Sequence, residues 1–102
     1  MLLLISVCLK SFSEDSKKVT LAGYITDSEN GESLPGATII IKDLNIGTTS
    51  NNYGFYSISL DPGIYTVIYS FIGYADQSYE LDLTSDISKN VEMLTSSQQL
   101  NE

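Results

Sequence analysis

The sequence predicts an all-β protein, a Greek-key β-sandwich of about seven strands (six to eight). Short runs of β-branched and aromatic residues alternate apolar with polar side chains, and none of them has a convincing helical period. Clusters rich in Gly and Pro separate these runs about every ten residues, as turns do between short strands. The chain has 102 residues, which leaves room for one domain.

The first predicted strand runs from Val19 to Thr26, with alternate apolar residues on one face. Asn30-Gly31 then favours a tight turn with positive φ. Pro35-Gly36 precedes the second strand, from Ala37 to Lys42, because Pro and Gly together turn the chain.

Gly47-Thr48 is interpreted as a hairpin turn, since no Gly-rich loop opens a helix here to bind phosphate. Tyr56 to Leu60 alternates apolar residues with serine. Ile64 to Ile72 is the most hydrophobic segment and is predicted to be a central strand. Tyr79 to Leu83 and Ile87 to Leu94 supply the last two strands.

Leu2 to Leu9 is an apolar run that ends at Lys10 and is followed by Ser11-Phe12-Ser13, a spacing typical of signal-peptidase cleavage. Residues 1–13 are therefore predicted to be a secretory signal peptide, and 14–18 a linker. A buried first strand and a lipobox ending at Cys8 are the alternatives. The polar residues 95–102 are predicted to form a flexible tether.

Composition excludes several classes of function. Five Lys and Arg stand against 13 Asp and Glu, so no basic patch could follow a nucleic-acid backbone. Histidine is absent and the single Cys lies in the leader, which removes the usual nucleophile–base pairs and zinc ligands. What remains for catalysis is a carboxylate pair or Ser with Lys. An enzyme is not expected, and neither is a cofactor.

Two further features have a structural and a functional interpretation. The oxygen-rich segment from Asp27 to Glu32 resembles part of a calcium loop but lacks its full ligand spacing, so a solvated turn is favoured. The seven tyrosines could bind sugars or a partner, although most occupy inward-facing positions. Leu60 to Tyr65 is typical of a tyrosine corner, in which the phenol bonds backbone a few residues upstream.

Six motifs follow one another along the chain: Gly23-Tyr24-Ile25-Thr26-Asp27, Gly31 to Ala37, Gly47-Thr48, Gly54-Phe55-Tyr56, Pro62 to Tyr65 and Ser70 to Tyr74. Together they resemble the carboxypeptidase regulatory-like domain, a transthyretin-like sandwich, over Val19 to Leu94. Asn51 departs from the Asp usual in that family, but it keeps the acceptor oxygen that the turn needs. The structural positions of the six motifs are Gly31, Pro35, Gly36, Gly47, Gly54, Pro62, Gly63, Tyr65, Gly73 and Tyr74.

The resemblance implies the N-terminal extension of a SusC/RagA-like TonB-dependent receptor, which imports glycans or peptides. On that basis we expect an exported, non-enzymatic accessory domain on the periplasmic side of the outer membrane that does not itself span it. Its partner would be the receptor's plug and barrel, or another periplasmic or outer-membrane protein. A free-standing secreted binding or adhesion module and a peptidase appendage are the alternatives. A chain that stops at Glu102 fits a receptor fragment or a complete product.

Overall fold

The computed structural model describes residues 17–96, which form a β-sandwich and confirm the predicted fold class. The predicted signal peptide and most of the tail lie outside the described residues. The strands are β1 (Val19–Asp27), β2 (Thr38–Ile41), β3 (Ile46–Thr49), β4 (Phe55–Leu60), β5 (Gly63–Ser70), β6 (Gln77–Leu83), β7 (Ile87–Ser88) and β8 (Val91–Met93).

The strands form two four-stranded sheets. The first has the order β4-β1-β7, with β8 also paired to β1; the second has the order β3-β2-β5-β6. Strands β7 and β8 run parallel to β1, whereas the other pairs are antiparallel. Strand β5 lies between two neighbours, as its hydrophobicity predicted.

The core lies between the sheets, where alternate residues of each strand point inward. Apolar burial of this kind is the main term that stabilises such a domain. The buried apolar residues are Val19, Leu21, Ile25, Leu34, Ala37, Ile39, Ile41, Tyr56, Leu60, Val67, Tyr69, Leu83, Val91 and Met93.

Two tyrosines carry hydroxyl groups into this core. Tyr56 donates its hydroxyl proton to the Lys89 carbonyl at 2.7 Å, so Tyr69, 2.8 Å away, must donate to Tyr56. Burial raises the pKa of both phenols. The Lys89 carbonyl also packs against Gly23 so closely that any Cβ there would overlap it.

Three expectations are corrected. Gly47-Thr48 lies inside strand β3 rather than in a turn; the turn comes earlier, at Asn45, which has a φ of 56°. Ile87 to Leu94 is interrupted and forms the two short strands β7 and β8. Pairing continues beyond Leu94, because Thr95 forms a bridge with Tyr74, so the predicted tether cannot begin at Thr95.

No helix in residues 17–96 is long and apolar enough to cross a bilayer.

Candidate functional site

The chain leaves the described sandwich at the end where β1, β3 and β5 finish and β4 and β6 begin. We call this the clamp end. It comprises residues 27–37, 50–54, 71–76 and 94–96. The opposite end, called the corner end, comprises residues 18, 42–45, 61–62 and 84–86. Most of the long-range polar contacts that close loops on one another lie at the clamp end.

Asp27 organises the loop that follows β1. Its Oδ1 accepts hydrogen bonds from the backbone N–H groups of Glu29 at 2.7 Å and Asn30 at 3.1 Å, which is an Asx turn. Its backbone carbonyl accepts from Gly31 N–H at 2.9 Å. The Asp27 carboxylate therefore stabilises the turn from Asp27 to Glu32, for which the sequence favours a solvated turn over a calcium loop.

The second carboxylate oxygen of Asp27 joins this loop to another one. Tyr74 donates its hydroxyl to Asp27 Oδ2 at 2.6 Å, although 47 positions separate the two residues. This bond lowers the pKa of Asp27, and the two N–H donors lower it further. The same bond raises the pKa of Tyr74. Asp27 is therefore ionised and Tyr74 is protonated at neutral pH.

The turn that carries Tyr74 also holds the outgoing chain. Ala75 N–H donates to the Leu94 carbonyl at 2.8 Å, and Ser96 N–H donates to the Gly73 carbonyl at 3.1 Å. With the Tyr74–Thr95 bridge, these bonds place residues 94–96 beside residues 73–75. The exit of the chain is therefore fastened to the loop that Asp27 anchors.

Ser50 secures a third loop at the same end. This buried hydroxyl accepts from Ala37 N–H at 2.9 Å and donates to the Leu34 carbonyl at 2.7 Å, on either side of the Pro35-Gly36 turn. Gly36 N–H donates to the Ser50 carbonyl at 3.0 Å. One small side chain thus satisfies polar backbone groups on both sides of the turn.

The adjacent turn depends on Asn51. Its Oδ1 accepts from Tyr53 N–H at 2.8 Å and from Phe55 N–H at 3.1 Å. The acceptor oxygen is therefore used as the sequence predicted. Gly54 closes this turn with a φ of 77°, a conformation that other residues rarely adopt.

The predicted structural positions divide between the two ends. Those at the clamp end are Gly31, Pro35, Gly36, Gly54, Gly73 and Tyr74. Pro62, Gly63 and Tyr65 lie at or next to the corner end, and Gly47 lies in β3. Tyr65 donates its hydroxyl to the Asp61 carbonyl at 2.7 Å, which is the contact of a tyrosine corner.

Sequence reasoning missed Ser50 and the partner of Asp27. A lone serine after a strand carries no signal of burial, and a contact across 47 positions has no periodic signature. The placement of Asp27 between an alternating strand and an Asn-Gly pair was the only available indication of a capping role.

The chemistry of this end is limited to hydrogen bonding and apolar contact. Within residues 17–96, no three His, Cys, Asp or Glu side chains come together to hold a metal ion. Ile72 projects from the clamp end with 87% of its surface exposed, and Leu94 is 39% exposed. The arrangement is suited to holding a neighbouring segment or domain.

The family model for the CarboxypepD_reg-like domain matches residues 21–102. TonB-dependent receptor P3 of Formosa agariphila is 31% identical over 87 residues, which is 85% of this chain and 8% of that receptor. Two other TonB-dependent receptors of that organism match over shorter stretches. Bacillopeptidase F of Bacillus subtilis is 28% identical over 78 residues, 74% of this chain and 5% of that protein.

A type II cohesin–X–dockerin complex from Acetivibrio cellulolyticus contains a chain of the same fold. That chain superposes on this one with a TM-score of 0.63 at 19% sequence identity, and the match covers 74% of this chain and 56% of the other. The curated relatives are much longer, since the chain spans less than a tenth of each. The family match extends over most of the chain, and the chain belongs to the carboxypeptidase regulatory-like domain family.

Proposed function

We propose that this chain is a non-enzymatic accessory domain of a TonB-dependent outer-membrane receptor for glycan or peptide uptake, exported to the periplasmic side. The observation that carries the proposal is the similarity to receptor P3, which extends over 85% of the chain. A receptor needs spanning and gating parts that a sandwich of this size does not supply. We therefore infer that the sandwich contributes by docking against a neighbouring domain.

The clamp end supports a docking role. Residues 94–96 are bonded to residues 73–75, so whatever follows along the chain starts from a fixed position. Ile72 stands beside that exit with 87% exposure, and Leu94, at the exit itself, is 39% exposed. Two exposed apolar residues beside a fixed exit suit contact with a neighbouring domain.

The side chains available also favour a non-catalytic role. At the clamp end, the Asp27 carboxylate and the Tyr74 hydroxyl are bonded to each other, and the carboxylate also accepts from backbone N–H groups. Their pKa values move away from neutrality, whereas a general acid or base works best near it. These groups therefore serve the structure.

Location is tested in the native organism with an antiserum against the sandwich. We expect the antigen in the outer-membrane fraction, resistant to protease in intact cells and digested once the outer membrane is permeabilised. Digestion in intact cells would indicate a surface module, and recovery from the medium a secreted one. Either result would contradict the receptor role.

Docking is tested by substitution at the two ends. Ile72→Asp places a charge beside the exit, whereas Ile64→Asp places one at an exposed site next to the corner end, where Ile64 is 62% exposed. We expect Ile72→Asp alone to reduce receptor-dependent growth on the imported nutrient, with both variants equally stable. Equal growth of the two strains would remove the clamp end from the docking role.

A second candidate has support from one comparison. The match to Bacillopeptidase F covers 74% of the chain, which is compatible with an appendage of a secreted peptidase. The coding sequence that adjoins this domain separates the candidates, because a plug domain or a peptidase domain would be recognised directly.

A further inference from the structure

The outer face of the first sheet differs chemically from the rest of this acidic protein. On β1 and β4, the outward residues pair directly across the strands as Thr20 with Ser59, Ala22 with Ser57, and Tyr24 with Phe55. We call these six residues the neutral strip. All of them are uncharged, although the chain has a net charge of −8.

The charges of this sheet stand at its borders. Lys18 and Asp61 form an ion pair of 3.3 Å beyond one end of the neutral strip, at the corner end. Asp86 borders the same end, where its carboxylate accepts a hydrogen bond from Thr20 N–H at 2.9 Å. Glu92, paired in register with Thr26, lies beyond the other. By contrast, Glu80 and Asp82 point outward from the middle of β6 in the second sheet. The middle of the first sheet's outer face is therefore uncharged, whereas the outer face of β6 is acidic.

Aromatic rings occupy one end of the neutral strip. The rings of Tyr24 and Phe55 have centroids 5.1 Å apart and are tilted by 58°, and Tyr24 is 50% exposed. Tyr53 lies in the preceding turn and is 74% exposed. Asn51 fixes the backbone of that turn, so a ligand that contacts the Tyr53 ring does not have to order the turn itself.

Hydroxyl groups occupy the other end. The Thr20 and Ser59 oxygens lie 3.0 Å apart and share one proton between them, which leaves the second proton and the lone pairs for a ligand. Ser57 is exposed between this pair and the aromatic rings. From Thr20 to Tyr24 the strip extends about 13 Å, taking 3.3 Å for each strand residue.

We propose that the neutral strip, together with Tyr53, binds a neutral polysaccharide. Sugar rings present an apolar face that stacks on aromatic side chains and hydroxyls that exchange hydrogen bonds, and the strip offers both. It offers no charge to balance a charged ligand, whose desolvation would then be uncompensated. Since residues 17–96 enclose no cavity, the ligand is a polymer lying along the surface rather than an enclosed small sugar.

The biological meaning of this site rests on the proposed receptor role, in which the strip would retain a glycan near the importer. The binding itself does not depend on that role. It can therefore fail while the receptor role holds, or hold while the receptor role fails.

Affinity electrophoresis of the whole chain tests the proposal. Native gels are cast with a soluble β-glucan, a galactomannan or an arabinoxylan, and with alginate as the charged comparison. We expect at least one neutral polysaccharide to retard the chain and alginate to leave it unchanged. Lack of retardation in all three neutral gels would overturn the proposal, as would retardation by alginate alone.

Matched variants assign the binding to the strip. Tyr24→Ala and Tyr53→Ala should each weaken binding about tenfold or more, as loss of a stacked tyrosine does at other interfaces. Ile64→Ala, at an exposed residue of the other sheet, should bind as the unmodified chain does. A second tyrosine variant, Tyr53→Phe, keeps the ring and should retain binding. Undiminished binding by both alanine variants would place the site elsewhere and contradict the proposal.

Discussion

The two ends of the sandwich are closed by similar kinds of contact in different surroundings. At the clamp end, the linking side chains Asp27 and Ser50 are buried, 7% and 5% exposed. At the corner end, Lys18 and Asp61 form an ion pair whose side chains are 59% and 70% exposed. Water competes for the second set of contacts and much less for the first.

The turn glycines of the two ends also differ, both in their φ angles and in how closely other atoms surround them. Gly54, at the clamp end, has a φ of 77°, and a Cβ there would stand 2.7 Å from the Ile25 carbonyl oxygen. Gly63, next to the corner end, has no such φ, and its nearest neighbour would be the Tyr65 ring at 3.2 Å. A turn motif in the sequence therefore does not reveal how firmly the turn is held.

The largest difference is expected from alanine at these two glycines. Gly54→Ala should destabilise the domain by about 3–5 kcal/mol, because backbone strain and a clash with a fixed carbonyl add together. Gly63→Ala should cost about 1 kcal/mol, since a side-chain ring can move. Urea denaturation measures both losses. Equal losses would remove the contrast between the ends.

Removal of the Ser50 hydroxyl should have the next largest effect. Ser50→Ala leaves Ala37 N–H and the Leu34 carbonyl without their partner in a buried site, at a cost of about 1–3 kcal/mol. Ser57→Ala, at an exposed serine of β4, is the control and should change stability by less than about 0.5 kcal/mol. A Ser50 variant as stable as its control would show that water replaces the hydroxyl.

The Asp27–Tyr74 bond makes the clamp end sensitive to pH at both extremes. The folded-state pKa of Asp27 lies below its ordinary value of 3.8, so its contribution is complete above that pH and is lost as pH falls through the folded pKa. The pKa of Tyr74 is raised above 10, so its contribution is complete below pH 10 and is lost at more alkaline pH.

Thermal unfolding across the pH range checks this dependence. The melting temperature of Asp27→Asn should fall less steeply in acid than that of the unmodified chain, and Tyr74→Phe should lose less in alkali. Asp82→Asn, at an exposed residue of β6, serves as the control for charge alone. Parallel curves for all the chains would show that the bond does not contribute.

Tyr65→Phe should have a smaller effect than a buried tyrosine corner would give. The Tyr65 ring is half-buried and its hydroxyl bond is exposed, so water can take up the Asp61 carbonyl. We expect a loss of about 0.5–1 kcal/mol by urea denaturation. A loss of about 3 kcal/mol would mean that the corner end is as firmly held as the clamp end.

Calcium should not change the stability of the domain. Both carboxylate oxygens of Asp27 already accept hydrogen bonds, so a bound ion would have to displace them. Unfolding curves with calcium and with a chelator should superimpose, because an ion that binds only the folded chain must raise the midpoint. A midpoint that rises with calcium would reopen the metal interpretation of this loop.

Alternation along the strands predicted most of the fold, because period-two patterns report directly on a half-buried sheet. Strand β3 was not predicted, because Gly47 and the threonines after it are mostly exposed and show no apolar alternation. The break between β7 and β8 depends on Asn90, whose side chain accepts from Tyr24 N–H at 2.9 Å. Here a side-chain oxygen accepts the hydrogen bond that a backbone carbonyl would accept in a continuous strand. This exchange does not change the hydrophobic pattern of the sequence.

The candidate site was predictable only in part. The turn glycines follow from their spacing and Tyr74 from the family resemblance, but their meeting at one end required the topology. Asp27 meets Tyr74 through the packing of two sheets, and Ser50 acts through burial that its sequence neighbours do not indicate. Local patterns thus predicted most of the turns, although not the one at Asn45, whereas the contacts between turns came from the tertiary arrangement.

The parallel pairing of β1 with β7 and β8 has a mechanical consequence. The chain enters the sandwich at the corner end of β1 and leaves at the clamp end after β8, so tension between these points acts along the strands. The pairs from Leu21–Ile87 to Asp27–Met93 would then be loaded in shear, with their hydrogen bonds resisting together rather than opening one at a time. In this geometry the domain can transmit a pull along its length while remaining folded.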